Sequence, residues 1–235
     1  MIELTIDGQK VEVEEGTTVL EAADKLNIAI PTLCHHEDLS PFGSCRLCTV
    51  EIRANGKFEL TTACTCPAEQ GMEVKTDSVK ALEARKLAAE LLLARCPSSK
   101  KIQKVAGEIG VEKPRVEVKE EACILCGLCV RTCQELVEVG AIKFIDKGLN
   151  RDISEPFIEV STDKCIGCGS CAYICPTNFI TLKEEGDTRI IWDRVFKLKK
   201  CKVCGNYWAP EAQLEYIGEK LNLPPDFFDV CPNCK

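Results

Sequence analysis

Apolar and polar residues alternate from the first positions of the chain. Ile2, Leu4 and Ile6 are separated by polar residues, Asp7-Gly8 offers a tight turn, and Val11 and Val13 resume the alternation, which predicts a β-hairpin. Thr18, with Glu21 three residues on, is the signature of a capping box opening a helix over Val19–Leu26. Alternation returns over Thr49–Arg53 and Lys57–Ala63, around Asn55-Gly56, and predicts a second hairpin; Glu73–Thr76 suits a last strand. At Ser78 the period changes from two to about 3.6. Val79, Leu82, Leu87 and Leu91, set among alanine, glutamate, lysine and arginine, predict a helix to Arg95. A second helix is predicted over Ile102–Ile109, ending at Gly110, and Lys113-Pro114-Arg115 reads as a linker because proline disfavours helix before it.

Composition changes this picture at one residue type. Of 235 residues 18 are cysteine, whereas aromatics make up only 6%. Cys123, Cys126, Cys129 and Cys133 recur as Cys165, Cys168, Cys171 and Cys175, each displaced by 42 positions, and Pro176 follows the second frame where Gln134 follows the first. A secreted disulfide scaffold is short, carries a signal peptide and does not repeat C-x2-C spacing. The start, MIELTIDGQKVEVEEG, has no basic or apolar leader region, and no apolar run approaches the roughly 18 residues that a span requires. The expectation is a soluble, cytoplasmic chain whose thiols are reduced and hold metal. The formal net charge of −7 and a pI of about 5.1 argue against a nucleic-acid partner.

The repeated C-x2-C-x2-C-x3-C frame resembles the two-cluster bacterial ferredoxins, in which each 4Fe–4S cluster takes three thiolates from one run and the fourth from the other. One cluster would use Cys123, Cys126, Cys129 and Cys175, the other Cys165, Cys168, Cys171 and Cys133. Each short run would wrap three corners of a cubane and its last cysteine would start a helix toward the neighbouring cluster. Gly127, Gly167 and Gly169 sit where backbone must turn tightly beside sulfide, and their amides can tune the potential. Paired zinc sites have no use for this crossed spacing. Farther on, Cys201-x2-Cys204 and Cys231-x2-Cys234 form two knuckles that make an S4 site for zinc, with a single iron or a further Fe–S cluster as alternatives. CKVCG and LPPDFFDVCPNCK are similar to rubredoxin's knuckles, but the spacer lacks rubredoxin's aromatic core. In so short a tail the metal supplies much of the folding energy.

Cys34, Cys45, Cys48 and Cys64 are spaced C-x10-C-x2-C-x15-C, a longer first gap than the C-x4-C-x2-C of plant-type ferredoxins. The stretches IPTLCHHEDLSPFGSCRLCTVEI and TTACTCPAEQGMEV resemble the N-terminal domain of the large iron–sulfur subunit of respiratory complex I. They resemble equally the diaphorase small subunit of NAD-linked hydrogenases and the matching parts of NAD-dependent formate dehydrogenases. The resemblance covers about the first 95 residues and implies one 2Fe–2S cluster in this loop. Position in the family motif favours Cys64 over Cys66 as fourth ligand, leaving Cys66 a free thiol near the site. The family's His-x3-Cys-x2-Cys-x5-Cys cluster is missing: the only histidines, His35 and His36, precede its place, and Cys96 reads as a buried packing thiol. His35 and His36 read as loop residues or hydrogen-bond partners beside a ligand.

The fold class expected is α+β: a β-grasp 2Fe–2S ferredoxin domain (1–77), a helical linker (78–115), a two-4Fe–4S ferredoxin module (116–190) and a small four-cysteine tail of zinc-ribbon or rubredoxin-like kind (191–235). Neither G-x-G-x-x-G after a strand nor G-x-x-x-x-G-K-[ST] occurs, and two adjacent histidines support no Ser/His/Asp set. The chain therefore reads as a non-catalytic, electron-transfer subunit. The resemblance implies a hetero-oligomer with a flavin- and NAD(P)-binding partner and a further redox subunit or ferredoxin, as in hydrogenases, formate dehydrogenases or bifurcating transhydrogenases. A free-standing polyferredoxin carrier and a zinc-binding interaction protein are the alternatives.

Overall fold

The N-terminal alternation becomes a hairpin in the computed structural model, which describes residues 1–54, 56–116, 122–145, 152–154 and 164–235. Strands β1 (Ile2–Ile6) and β2 (Gln9–Val13) pair antiparallel, with Ile6 opposite Gln9. Between them Asp7 and Gly8 both take positive φ, 49° and 80°, the pairing that a two-residue hairpin turn demands. The Asp7 carboxylate accepts from the Thr76 amide (2.7 Å) and hydroxyl (2.5 Å), which ties this turn to the end of β5 (Glu73–Lys75).

β3 (Thr49–Ala54) and β4 (Lys57–Thr62) form the second hairpin, whose turn residue Asn55 lies outside the described residues. The five strands make one sheet in the order β2-β1-β5-β3-β4, with β1 and β5 parallel and the other neighbours antiparallel. Parallel neighbours need a crossover, and α1 (Val19–Lys25) lies in it. Its capping box is complete: Thr18 Oγ1 accepts from the Glu21 amide (3.3 Å), and the Thr18 amide donates to the Glu21 carboxylate (2.6 Å). Leu4, Ile6, Val13, Val19, Val50 and Val74 form the core, and Cys48 and Cys64 are part of it.

α2 (Val79–Arg95) starts at Ser78, whose hydroxyl accepts from the Ala81 amide (3.2 Å). The residues that revealed this helix are not the ones it buries. Leu87 and Leu91 are 49% and 52% exposed, and Val79 and Leu82 are exposed too, while Ala81, Arg85, Ala88, Ala89, Leu93 and Ala94 face inward. Alanines on the inner face allow close approach, and the Arg85 Nε donates to the Thr49 carbonyl of β3 (2.8 Å). α3 (Lys100–Glu108) follows, capped by Ser99, and stops before Gly110 at φ 82°. Cys96 is buried at the end of α2.

The chain divides into two units, Met1–Leu128 and Cys129–Lys235. In the second, β6 (Lys143–Ile145) pairs with β7 (Asp152–Ser154). A four-stranded antiparallel sheet in the order β11-β10-β9-β8 is built from β8 (Leu182–Glu185), β9 (Thr188–Ile191), β10 (Arg194–Lys200) and β11 (Tyr207–Pro210). Helix α6 (Glu211–Leu221) ends at Asn222, which is left-handed (φ 50°). Its Tyr216 hydroxyl donates to the Val137 carbonyl (3.0 Å), and Lys220 pairs with Glu138 (2.5 Å).

The two cysteine frames differ in one respect that corrects the sequence expectation. No helix starts at either last cysteine. In the second frame α5 (Ser170–Ile174) precedes Cys175, which closes it in extended geometry (φ −67°, ψ 115°). In the first, the short α4 (Leu128–Arg131) runs on through Cys133 as a π-turn over Thr132–Leu136. The reason is the residue that follows: Pro176 disfavours helical geometry at Cys175, whereas Gln134 keeps its N–H and lets the helix continue.

Candidate metal centres

In the first unit, the loop between α1 and β3 and the turn after β4 bring four sulfurs into the core. Cys34, Cys45, Cys48 and Cys64 are each at most 5% exposed. They meet as two pairs: the Cys45 amide donates to Cys34 Sγ (3.3 Å), and Cys48 Sγ lies 3.3 Å from Cys64 Sγ. The partner sulfur and burial push the Cys45 and Cys64 thiols far up, while the Cys64 thiol holds Cys48 down to about 7. Crowded thiols of this kind cannot all ionise unless a cation joins them, and two closely spaced pairs fit a two-iron cluster. The Gly43 backbone (φ 67°) is part of the fit, since a Cβ there would lie 3.1 Å from Thr65 Cγ2. Cys66 is placed elsewhere, beside Pro67 and in a groove with Ile52, Glu59 and Met72. His36 Nδ1 accepts from the Asp38 amide (3.3 Å), and His35 Nδ1 is buried without a hydrogen-bond partner among the described residues.

The first unit also holds the start of the first repeated frame. The Leu125 amide donates to Cys123 Sγ (3.3 Å), Arg95 Nε to the Cys123 carbonyl (2.6 Å), and Ser44 Oγ to the Leu125 carbonyl (3.2 Å). Leu125 and Gly127 both have positive φ, 53° and 74°. Forty-two residues on, Gly167 and Gly169 repeat that geometry at 66° and 86°. The sequence repeat is thus a backbone repeat, with left-handed residues at the same two places in each frame. Leu125 shows that the first place does not need glycine in this chain; what requires Gly167 is Phe196, whose ring would be 2.5 Å from an added Cβ.

In the second unit Cys133, Cys165, Cys168 and Cys171 line one pocket together. Val137, Ile142, Ile191 and Trp192 complete its wall. The Ala141 amide donates to Cys133 Sγ (3.2 Å), and the Ser170 hydroxyl lies 3.5 Å from Cys168 Sγ. Burial pushes the Cys171 thiol up to about 12, with the indole N–H of Trp192 acting in the other direction. Four thiols around one pocket, with the Ala141 amide aimed at sulfur, fit a cubane cluster. Cys175 Sγ is 3.5 Å from the Thr177 hydroxyl.

Three residues packed on the second cysteine run carry no motif. Arg189 of β9 donates from Nη1 to the carbonyls of Gly167 (3.0 Å) and Cys168 (3.1 Å), and its guanidinium is held by Glu184 (2.6 Å). Phe196 of β10 covers Gly167, and Trp192 sits in the turn between β9 and β10. Trp192 and Phe196, just beyond position 190, pack on the second cysteine run.

In the tail, the sulfurs of Cys201, Cys204, Cys231 and Cys234 all lie within 4.8 Å of one another. Zinc–sulfur bonds of about 2.3 Å imply a tetrahedral edge of roughly 3.8 Å, and Cys204 and Cys231 are 3.8 Å apart. The Cys231 amide donates to Cys201 Sγ (3.3 Å); this and the Cys204 amide lower the Cys201 thiol to about 6. Asp229 braces the first knuckle: its carboxylate meets Lys199 (2.8 Å) and Lys202, and its carbonyl accepts from the Lys202 amide (2.8 Å). Trp208, Phe227 and Phe228 meet at ring separations of 6.3 Å and 5.1 Å, so the spacer has an aromatic cluster of its own.

Comparison with known families agrees with this inventory. Residues 1–79 match the 2Fe-2S iron-sulfur cluster binding domain, and residues 116–182 and 164–206 each match a 4Fe-4S dicluster domain. The chain is therefore an iron–sulfur protein of mixed α and β structure, with a 2Fe–2S domain, 4Fe–4S domains and a four-cysteine group near its end. The chain is similar to subunits of NADH- and NADPH-linked oxidoreductases. A subunit of the NADH-quinone oxidoreductase of Rhizobium meliloti (strain 1021) is 34% identical over 181 residues, 66% of this chain and 21% of that protein. The alpha subunit of the NADPH-Fe(3+) oxidoreductase of Geobacter sulfurreducens is 35% identical over 173 residues, 63% of this chain and 20% of that one. The mitochondrial NADH-ubiquinone oxidoreductase 78 kDa subunit of Candida albicans is 29% identical over 209 residues, 77% and 28%. The chain thus spans between 20% and 28% of the length of these curated relatives. A crystal structure of an NAD+-reducing NiFe-hydrogenase matches with a TM-score of 0.63 and 28% identity, over 75% of this chain and 85% of that one. The resemblance to the complex I subunit and to NAD-linked hydrogenase chains is borne out. No helix among the described residues is long and apolar enough to cross a membrane.

Proposed function

We propose that this chain is an electron-transfer subunit that relays single electrons between a flavin- and NAD(P)-binding partner and a further redox subunit or ferredoxin. The observation that carries the reading is the single pocket lined by Cys133 and the three cysteines of the second run, the three-plus-one arrangement that crossed 4Fe–4S ligation calls for. Cys123, Cys126, Cys129 and Cys175 hold the other 4Fe–4S cluster, a reading that rests on ligand spacing. Cys34, Cys45, Cys48 and Cys64 hold the 2Fe–2S cluster, and Cys201, Cys204, Cys231 and Cys234 hold zinc. The mixed five-stranded sheet with one crossover helix supports a β-grasp fold for residues 1–77. Residues 78–115 are the helical linker, 116–190 the two-cluster module and 191–235 the tail.

When bound, each cluster supplies a one-electron centre. The protein's part is to bury the sulfurs, exclude water and aim amide and hydroxyl donors at them, which sets the potentials. Ligation by cysteine alone favours low potentials, suited to a nicotinamide-linked chain in a reducing, cytoplasmic setting. A hetero-oligomer follows from the relatives, which are named as subunits. Anaerobically prepared protein should be brown, with iron and acid-labile sulfide each near ten per chain, about two plus four plus four, apart from any tail metal. Electron paramagnetic resonance after dithionite should resolve three reduced centres. A colourless, zinc-only protein would sink the proposal.

A further inference from the structure

Trp192 occupies a position that its backbone disfavours. It is the first of two residues, Trp192 and Asp193, that join Ile191 of β9 to Arg194 of β10, and both are left-handed, at φ 54° and 56°. Such a turn prefers Asn-Gly or Asp-Gly, because a bulky side chain at positive φ is strained. The strain is spent on placement: the turn carries the indole into the wall of the cavity formed by Cys133, Cys165, Cys168 and Cys171. The ring is fixed there edge-on against Phe179, with centroids 6.2 Å apart and planes at 71°. Its Nε1 is buried and has no partner at full hydrogen-bond geometry among the described residues. A buried indole N–H ordinarily finds an acceptor, and the side chains lining the pocket are sulfur or apolar apart from the Ser170 hydroxyl, which is engaged with Cys168.

We infer that the indole N–H of Trp192 donates a hydrogen bond to sulfur of the 4Fe–4S cluster held by Cys133, Cys165, Cys168 and Cys171, and thereby raises that cluster's reduction potential. The inference rests on the cluster assignment proposed above. The acceptor is the Cys171 thiolate or an adjacent sulfide; the physics is the same for both. Gaining an electron makes the cluster more negative, so an N–H dipole aimed at its sulfur stabilises the reduced form more than the oxidised one. Trp192 is a positioning and tuning residue: it does not ligate iron and does not itself change oxidation state.

The test is a redox titration, followed by electron paramagnetic resonance, of the full chain with its clusters loaded, comparing wild type with Trp192→Phe. Phenylalanine keeps an aromatic ring against Phe179 and removes only the donor. One 4Fe–4S signal should move to lower potential, by about a tenfold change in its reduction equilibrium, or about 59 mV for one electron, while the 2Fe–2S and the other 4Fe–4S signals stay in place. Unmoved potentials in a variant with wild-type iron and sulfide would overturn the role of Trp192 alone. Wild-type protein that loads no second 4Fe–4S cluster would instead overturn the cluster assignment beneath it. Should the variant lose its cluster, a second measurement decides. In a Trp208→Phe background grown on indole-15N tryptophan, only Trp192 is labelled. A weak 15N coupling to the reduced cluster supports the hydrogen bond, and its absence refutes it.

Discussion

Replacing Gly167 by alanine separates two costs that usually arrive together. Its φ of 66° is left-handed, and an added Cβ would lie 2.5 Å from Phe196 Cγ and 2.8 Å from both Cδ atoms. The first cost is backbone, about 1–2 kcal/mol for an L-residue in this region. The second is overpacking against a ring held in β10, about 1–3 kcal/mol. Gly186, in the turn between β8 and β9 of the same unit, has φ 61° and no atom within 4 Å of an added Cβ. Gly186→Ala therefore incurs only the backbone cost, and the reduced entropy of the unfolded chain offsets both variants equally. Gly167→Ala should be less stable than Gly186→Ala by about 1–3 kcal/mol. Anaerobic guanidinium unfolding of loaded protein reads this difference, and iron release to a chelator should be faster only for Gly167→Ala. Equal unfolding midpoints and equal release rates for the two variants would refute the claim that Phe196 forms one wall of the cluster loop.

Three further outcomes follow from the same packing. Arg189→Met removes two hydrogen bonds to the carbonyls of Gly167 and Cys168; it should destabilise the second unit by about 1–3 kcal/mol and speed cluster loss in air, measured by bleaching of visible absorption. On α2, Leu87→Gln with Leu91→Gln should leave stability within about 0.5 kcal/mol, whereas Leu93→Ala, at a 6% exposed position, should cost about 2–5 kcal/mol; thermal unfolding distinguishes them. In the metal-free tail, amides hold Cys201 as a thiolate down to about pH 6, against an ordinary thiol value of 9.0. A depressed value means the stabilisation is complete above pH 9 and is lost as pH falls through 6, so the far-ultraviolet signal of α6 should weaken across that window. Cys201→Ser should flatten this pH dependence.

Much of this protein was legible one residue at a time. Both N-terminal hairpins, the Thr18–Glu21 capping box and the helices after Ser78 and Ser99 depend on local rules, which period-two alternation and cap residues express directly. The metal-binding character was legible for the same reason: cysteine spacing reflects how far a short loop can reach around a cluster. Contacts between distant segments were not written in any local pattern. The leucines of α2 revealed a helix, yet its buried face is mostly alanine, joined by Arg85 and Leu93. Pro176 and Gln134 stand at the same place in the two frames, yet one ends a helix at its cysteine and the other lets a π-turn run through it. Arg189, Trp192 and Phe196 belong to no motif, and only the β8–β9–β10 meander sets them over the second cysteine run. A ligand motif specifies the sulfurs, but the groups that surround them come from elsewhere in the chain, and tertiary packing alone brings them there.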